Sequence, residues 1–184
     1  VPDAAAYALL NFHLGSGAEA GTDGERVRWD NDARAFVETG AGGLALSYVP
    51  FGEGELVHGA SPANPYPIVT LGGDLSNTDD SGTRDDAVAG FQWRFGALAP
   101  GETRSVAVLV TFATAREGRA FVADRAPVAL VDAEVRAWES WRVAPPAGLS
   151  PAETRVYRQS ESVLRMAQSR EEGTAGGQLI AALP

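Results

Sequence analysis

The chain has 184 residues, 45% of them hydrophobic and 21% charged, a globular composition long enough for one domain or one domain with a helical appendage. Its net charge of −9, from 24 acidic and 15 basic residues, argues against a general nucleic-acid binder and against adhesion to anionic lipid, since both need a basic face. No apolar run approaches the roughly 18 residues of a membrane span.

The first two-thirds read as strands. In Ala6 to Leu14, Ala8, Leu10, Phe12 and Leu14 share one face and Tyr7, Leu9, Asn11 and His13 the other, a period of two. Glu25 to Trp29 and Ala33 to Glu38 flank Asp30-Asn31-Asp32, which is turn chemistry, and so read as a hairpin. Another strand starts at Leu44, Leu46 and Tyr48 and is closed by Pro50. Residues 50 to 86, with four prolines and an acidic stretch from Asp74 to Gly82, read as mostly loop, functional or packed against something else. The strongest local signal is a hairpin over 88 to 113. Phe91, Trp93 and Phe95 alternate, Pro100-Gly101 fits a type II turn, and Val106, Val108, Val110 and Phe112 alternate in the return.

After residue 115 the period changes. Arg116 to Arg125 fits a short helix. Pro127 suits a first helical turn, and Val128, Val131, Val135 and Trp138 follow at helical spacing, with Trp141 one turn on. Pro145-Pro146-Ala147-Gly148 breaks this helix. Ser150-Pro151-Ala152-Glu153 restarts one with a capping box, and Val156, Ser160, Val163, Leu164 and Ala167 give it a narrow apolar stripe. Gly173 to Gly177 ends it, and Gln178 to Pro184 reads as an apolar, extended tail. The expected fold class is therefore mainly β, an antiparallel β-sandwich followed by a linker and helices.

Chemical sites are sparse. Cysteine is absent, which removes disulfides, thiol nucleophiles and thiolate metal sites; lysine is absent too, which excludes Schiff-base chemistry and a P-loop. His13 and His58 are the only histidines, and their surroundings show no zinc-like spacing; they read as one strand and one loop histidine. No Gly-x-Ser-x-Gly nucleophile elbow occurs. A calcium loop has one weak candidate: Asn77, Asp79 and Ser81 at positions 1, 3 and 5, Gly82 at 6 and Asp85 at 9. Its position 12 is Val88, where a bidentate Glu is needed, so a solvated acidic loop is the plainer reading, with Arg84 as a local ion pair for Asp85 and Asp86. Trp29 and Trp93 lie on apolar strand faces and read as core, while Trp138 and Trp141 lie on a helix that docks on something. Glu134, Glu139, Glu153 and Glu161 are spaced as solvated helix faces and nominate no glycosidase acid/base pair. No catalytic residue, metal or cofactor is assigned.

Several stretches carry a resemblance in their order and spacing. They are Trp138-Glu139-Ser140-Trp141, Pro146-Ala147-Gly148-Leu149-Ser150, Glu153, Tyr157-Arg158-Gln159-Ser160 with Val163-Leu164-Arg165-Met166, and Gly177-Gln178-Leu179-Ile180-Ala181-Ala182-Leu183-Pro184. Together with the hairpin around Leu98-Ala99-Pro100-Gly101-Glu102, which resembles the last sandwich strands, they make the chain resemble the bacterial glucoamylase-type glycoside hydrolases of family 15. The resemblance implies a supersandwich-like β domain over 1–115, linker helices over 116–149, and the first helix of an (α/α)6 catalytic barrel over 150–184. It implies inverting hydrolysis of α-glucosidic bonds, with the catalytic glutamates and the family's Trp-x-Arg-Asp-type segment outside this chain, so the chain alone is expected to be inactive. The Val1 start, without Met or a charged-then-apolar leader, reads as a chain processed or excised from something longer. The expected partners are the rest of the enzyme, as a second chain, and an oligo- or polysaccharide; no nucleic acid or membrane is expected. The compartment stays undecided, with a secreted or periplasmic one slightly favoured. A second reading, from a different class, is a free-standing carbohydrate-binding or adhesion module, which requires an exposed aromatic row.

Overall fold

A computed structural model describes residues 3–12, 14, 24–40 and 42–168. The chain divides into two compact units, Val1–Asp132 and Ala133–Pro184. The first is mainly β. Among the described residues seven strands run in chain order: β1 (Ala4–Leu10), β2 (Arg26–Asp30), β3 (Ala35–Thr39), β4 (Ala45–Gly52), β5 (Glu55–Ala60), β6 (Ala89–Gly96) and β7 (Val106–Thr111). They form two antiparallel sheets, ordered β1-β6-β5 and β2-β3-β4-β7.

The two inner faces meet as period-two patterning requires. Val27 and Trp29 of β2, Phe36 of β3, and Leu46 and Tyr48 of β4 pack against Leu10, Ala89, Phe91 and Trp93 of the three-stranded sheet. Aromatic rings fill the middle: Phe36 lies 5.2 Å from Trp29 and 5.5 Å from Phe91, and Phe91 lies 6.0 Å from Trp93. The residues that alternate outward from β3 and β4, Ala35 and Val49, form a second apolar cluster with Ala115 and Val122 of α2 (Ala115–Val122). Helix α2 is capped by Thr114 and Glu117 in a reciprocal capping box, and it approaches closely because residue 118 is glycine. A Cβ there would sit 2.8 Å from the Val49 Cγ2.

The hairpin expected over 88–113 is corrected. β6 lies between β1 and β5, whereas β7 pairs with β4 in the other sheet. The turn itself forms as expected, with Gly101 at φ +82° and the Glu102 N–H donating to the Ala99 carbonyl at 3.0 Å. Beyond the turn the chain crosses from sheet to sheet instead of folding back. The reason is burial: the first five residues of β6 are all buried, so that strand is central and needs a strand on each side.

The stretch 50–86 is also more ordered than expected. β4 runs through Pro50, whose missing N–H falls beyond the β3 pairing, and β5 and a short helix α1 (Pro65–Thr70) come next. Residues 77–84 then lie along the edges of both sheets. Asn77 exchanges bonds with the β5 backbone: its N–H donates to the His58 carbonyl (2.8 Å) and its side chain accepts from the His58 N–H (3.1 Å). On the other side, the N–H groups of Glu25, Val27 and Trp29 donate to the Arg84 carbonyl, the Ser81 hydroxyl and the Asp79 carbonyl. The segment thus satisfies the outer donors of edge strand β2 and ties it to edge strand β5, the protection an open sheet edge needs. The remaining edges, β1 and β7, carry no charged side chain.

Arg119 of α2 fixes the β2–β3 turn from beneath. Its guanidinium donates to the carbonyls of Ala33 (2.7 Å), Arg34 (2.7 Å) and Pro50 (2.9 Å), and Arg34 is held at φ +49°. Arg119→Met keeps the apolar stem and orphans three acceptors, so it is expected to lower unfolding free energy by about 2–3 kcal/mol in urea titration. A loss under about 0.5 kcal/mol, the range of ordinary surface changes, shows that the clamp is not structural.

In the second unit, α3 (Pro127–Trp141) begins at the expected proline, its first turns belonging to the first unit, and α4 (Pro151–Met166) begins at the expected capping box, with Ser150 and Glu153 bonded reciprocally. His13, Gly173–Gly177 and the tail from Gln178 to Pro184 lie outside the described residues.

Candidate functional site

Two features of the described residues invite a functional reading. The first is a polar cleft at the mouth of the sandwich, of about 440 Å³, lined by Asn31 and Arg34 of the β2–β3 turn, Trp29, Leu56 and His58 of β5, and Asn77 and Asp79. His58 is its centre. The imidazole, its side chain 11% exposed, stacks on Trp29 with centroids 4.0 Å apart and planes 10° apart, and meets Phe36 edge-on at 5.4 Å. Its Nε2 lies 2.6 Å from the Asp79 Oδ1. A carboxylate can only accept, so Nε2 carries the hydrogen. Burial pushes the His58 pKa down and Arg34 adds to this, while Asp79 opposes it.

This differs from the expected loop histidine: His58 belongs to β5, and its partner is a residue that the sequence suggested for calcium. The other calcium candidates serve the fold. Asn77 bonds the His58 backbone. Ser81 is buried, accepting from the Val27 N–H and donating to the Gly82 carbonyl. Asp85 is exposed, and Arg84 donates to the Ser81 carbonyl instead of pairing with Asp85 or Asp86. Among the described residues, no group of three or more histidine, aspartate and glutamate side chains gathers to hold a metal. Chemically the cleft offers an imidazole–carboxylate pair with amides around it. Among the described residues, no hydroxyl nucleophile and no second carboxylate lines it.

The second feature is α4. Its stripe of Val156, Val163, Leu164 and Met166 is 54–66% exposed. The side that is covered is polar. Glu161, 9% exposed, accepts from the Val143 N–H (2.8 Å) and from Arg158 (2.8 Å), and Arg158 also donates to the Val143 carbonyl (2.7 Å). Those bonds, the Val143 N–H first, hold the Glu161 carboxyl below its ordinary range. Arg165 stacks over Trp141 at 5.1 Å from the ring centroid. Among the described residues of the second unit, the helix therefore turns its polar face toward its neighbours and leaves its apolar stripe uncovered, the reverse of a helix that completes its own core. Val128, Val131 and Val135 of α3 are likewise 48–62% exposed.

The four helical glutamates have structural roles or lie in solvent. Glu134 accepts from the Trp138 indole N–H, Glu153 caps α4, and Glu161 holds the chain at Val143; Glu139 is exposed on α3. Trp29 and Trp93 are core, 8% and 2% exposed, and Trp138 and Trp141 pack edge-to-face on each other. Sequence reasoning missed the His58–Asp79 pair, because 21 residues and a sheet-to-sheet crossing separate its members. No helix among the described residues is long and apolar enough to cross a membrane. Compared with known proteins, the chain matches no protein-family model, no curated protein and no solved structure.

Proposed function

We propose that this chain is the non-catalytic portion of a glucoamylase-like glycoside hydrolase: its β-sandwich, linker helices and first barrel helix. The parent enzyme cleaves α-glucosidic bonds with inversion, through a general acid and a water-activating general base that lie on residues outside this chain. The sandwich braces the (α/α)6 barrel, and the 184-residue chain alone is inactive. A polysaccharide substrate goes with a secreted or periplasmic enzyme.

The observation that carries this reading is the outward apolar stripe of α4. A helix of a barrel has neighbours on that side, whereas a free-standing module has no use for it. The uncharged edges β1 and β7 support the same conclusion, since a sheet that ends in water is normally blunted with charge or proline. The competing reading, a free-standing carbohydrate-binding or adhesion module, calls for exposed aromatic rings in a row, and the two sandwich tryptophans are buried instead.

The test is denaturing electrophoresis of the native preparation, with sequencing of every band that co-purifies. A companion polypeptide carrying barrel sequence, beginning after Pro184 or continuous with it, is the expected result. A native preparation in which this chain has no companion carrying barrel sequence overturns the proposal.

A further inference from the structure

Among the described residues of the first unit two glutamates are fully buried, and they differ in how they are solvated by the protein. Glu25, next to β2, has donors on both oxygens: the Leu14 N–H on Oε1 (3.1 Å) and the Ala87 N–H on Oε2 (3.3 Å). Glu38 of β3, two residues from Phe36 on the inner face, has one donor, the Tyr48 hydroxyl on Oε2. Its Oε1 is the only buried side-chain nitrogen or oxygen among the described residues without a hydrogen-bond partner.

An ionised carboxylate in an apolar interior needs several donors or a cation; a protonated one needs far less. Among the described residues, the groups acting on Glu38 are Tyr48 from β4, Glu25 beside β2, and Asp86 ahead of β6: one hydroxyl and two carboxyl groups. Burial pushes its pKa up to about 7; the Tyr48 hydrogen bond opposes this, and Glu25 and Asp86 add to it. Tyr48 is itself pushed upward, by burial first, and stays a donor throughout.

We propose that Glu38 is a proton-operated lock on the end of the sandwich. Protonated, it is a neutral member of the core, accepting from Tyr48. Ionised, it sets a buried negative charge beside Glu25, the group that holds the Leu14 and Ala87 N–H groups, and so loosens those two backbone contacts. The sign comes from proton binding. The folded chain holds this proton more tightly than the unfolded one, so stability is full in mild acid below the ordinary carboxylate value and falls as pH rises toward about 7.

Urea unfolding of the full chain from pH 5 to pH 8 tests the lock. The folding equilibrium constant is expected to fall roughly 100-fold over that span, and Glu38→Gln is expected to flatten the profile. Amide exchange at Leu14 and Ala87, corrected for intrinsic rate, is expected to accelerate above pH 7 in the unaltered chain and not in the variant. If Glu38→Gln does not fold, an infrared titration of the unaltered chain decides. A protonated carboxylic-acid band that survives to near pH 7 supports the lock, and its loss in the ordinary carboxylate range overturns it. An unchanged pH slope in Glu38→Gln, or exchange at Leu14 and Ala87 that ignores pH, also overturns it.

Discussion

Cutting Phe36 back to alanine is expected to remove about 3–5 kcal/mol of unfolding free energy, the usual range for deleting a buried aromatic ring. Phe36 is fully buried and is the meeting point of three others: Trp29 at 5.2 Å, His58 at 5.4 Å and Phe91 at 5.5 Å. It therefore joins the four-stranded sheet to both β5 and β6. Domains of this size hold about 5–15 kcal/mol in total, so the variant sits at the edge of folding at room temperature. The loss has two parts, the transfer energy of the ring and the cavity it leaves, and the second is large here because the neighbours are rings that cannot collapse inward. The control is Phe112→Ser. That ring is 76% exposed just beyond β7, and the change is expected to stay within about 0.5 kcal/mol. Urea midpoints for the two variants measure the contrast. Similar losses at both positions contradict the placement of the core between the sheets.

How far the sequence carried depends on whether the information was local. The β2–β3 hairpin was legible because Asp30-Asn31-Asp32 brings its own turn chemistry and the flanking strands simply pair with each other. The starts of α3 and α4 were legible because Pro127 and the Ser150/Glu153 box act within one turn. The partners of β6 and β7 were not, since alternation fixes which face is buried but says nothing about which strand lies beside it. β5 escaped because Gly59 and His58 dilute its β-forming residues, and only pairing with β6 makes it a strand.

The candidate site shows the same divide. The 1, 3, 5 spacing of Asn77, Asp79 and Ser81 that suggests a calcium loop is also the spacing of one face of an extended chain. In the fold that spacing serves β5 and β2. Glu25 and Glu38 left no trace as buried residues, because glutamate at a strand position reads as solvent-facing by default. Only the alternation of Phe36 with Glu38 placed the latter on the inner face, and composition argues against it.

If the α4 stripe is a docking face, Val163→Gln with Leu164→Gln should separate association from folding. The two side chains are 54% and 56% exposed, so in the chain alone the double variant is expected to keep its unfolding free energy within about 0.5 kcal/mol per position. Placed against neighbouring helices, the same two side chains bury their remaining apolar area, roughly 3 kcal/mol in total. Since every 1.4 kcal/mol is about tenfold, the double variant is expected to bind the rest of the enzyme about 100-fold more weakly. Native-complex titration followed by size-exclusion chromatography reads the association, and urea unfolding of the chain reads the stability. Unfolding of the lone chain by the double variant places the stripe in a core of its own. Undiminished association removes α4 from the interface. The polar side of the helix supplies the internal check: Glu161→Gln weakens the bonds to Val143 and Arg158 and is expected to act on the fold of the second unit, leaving the exposed stripe and its chemistry in place.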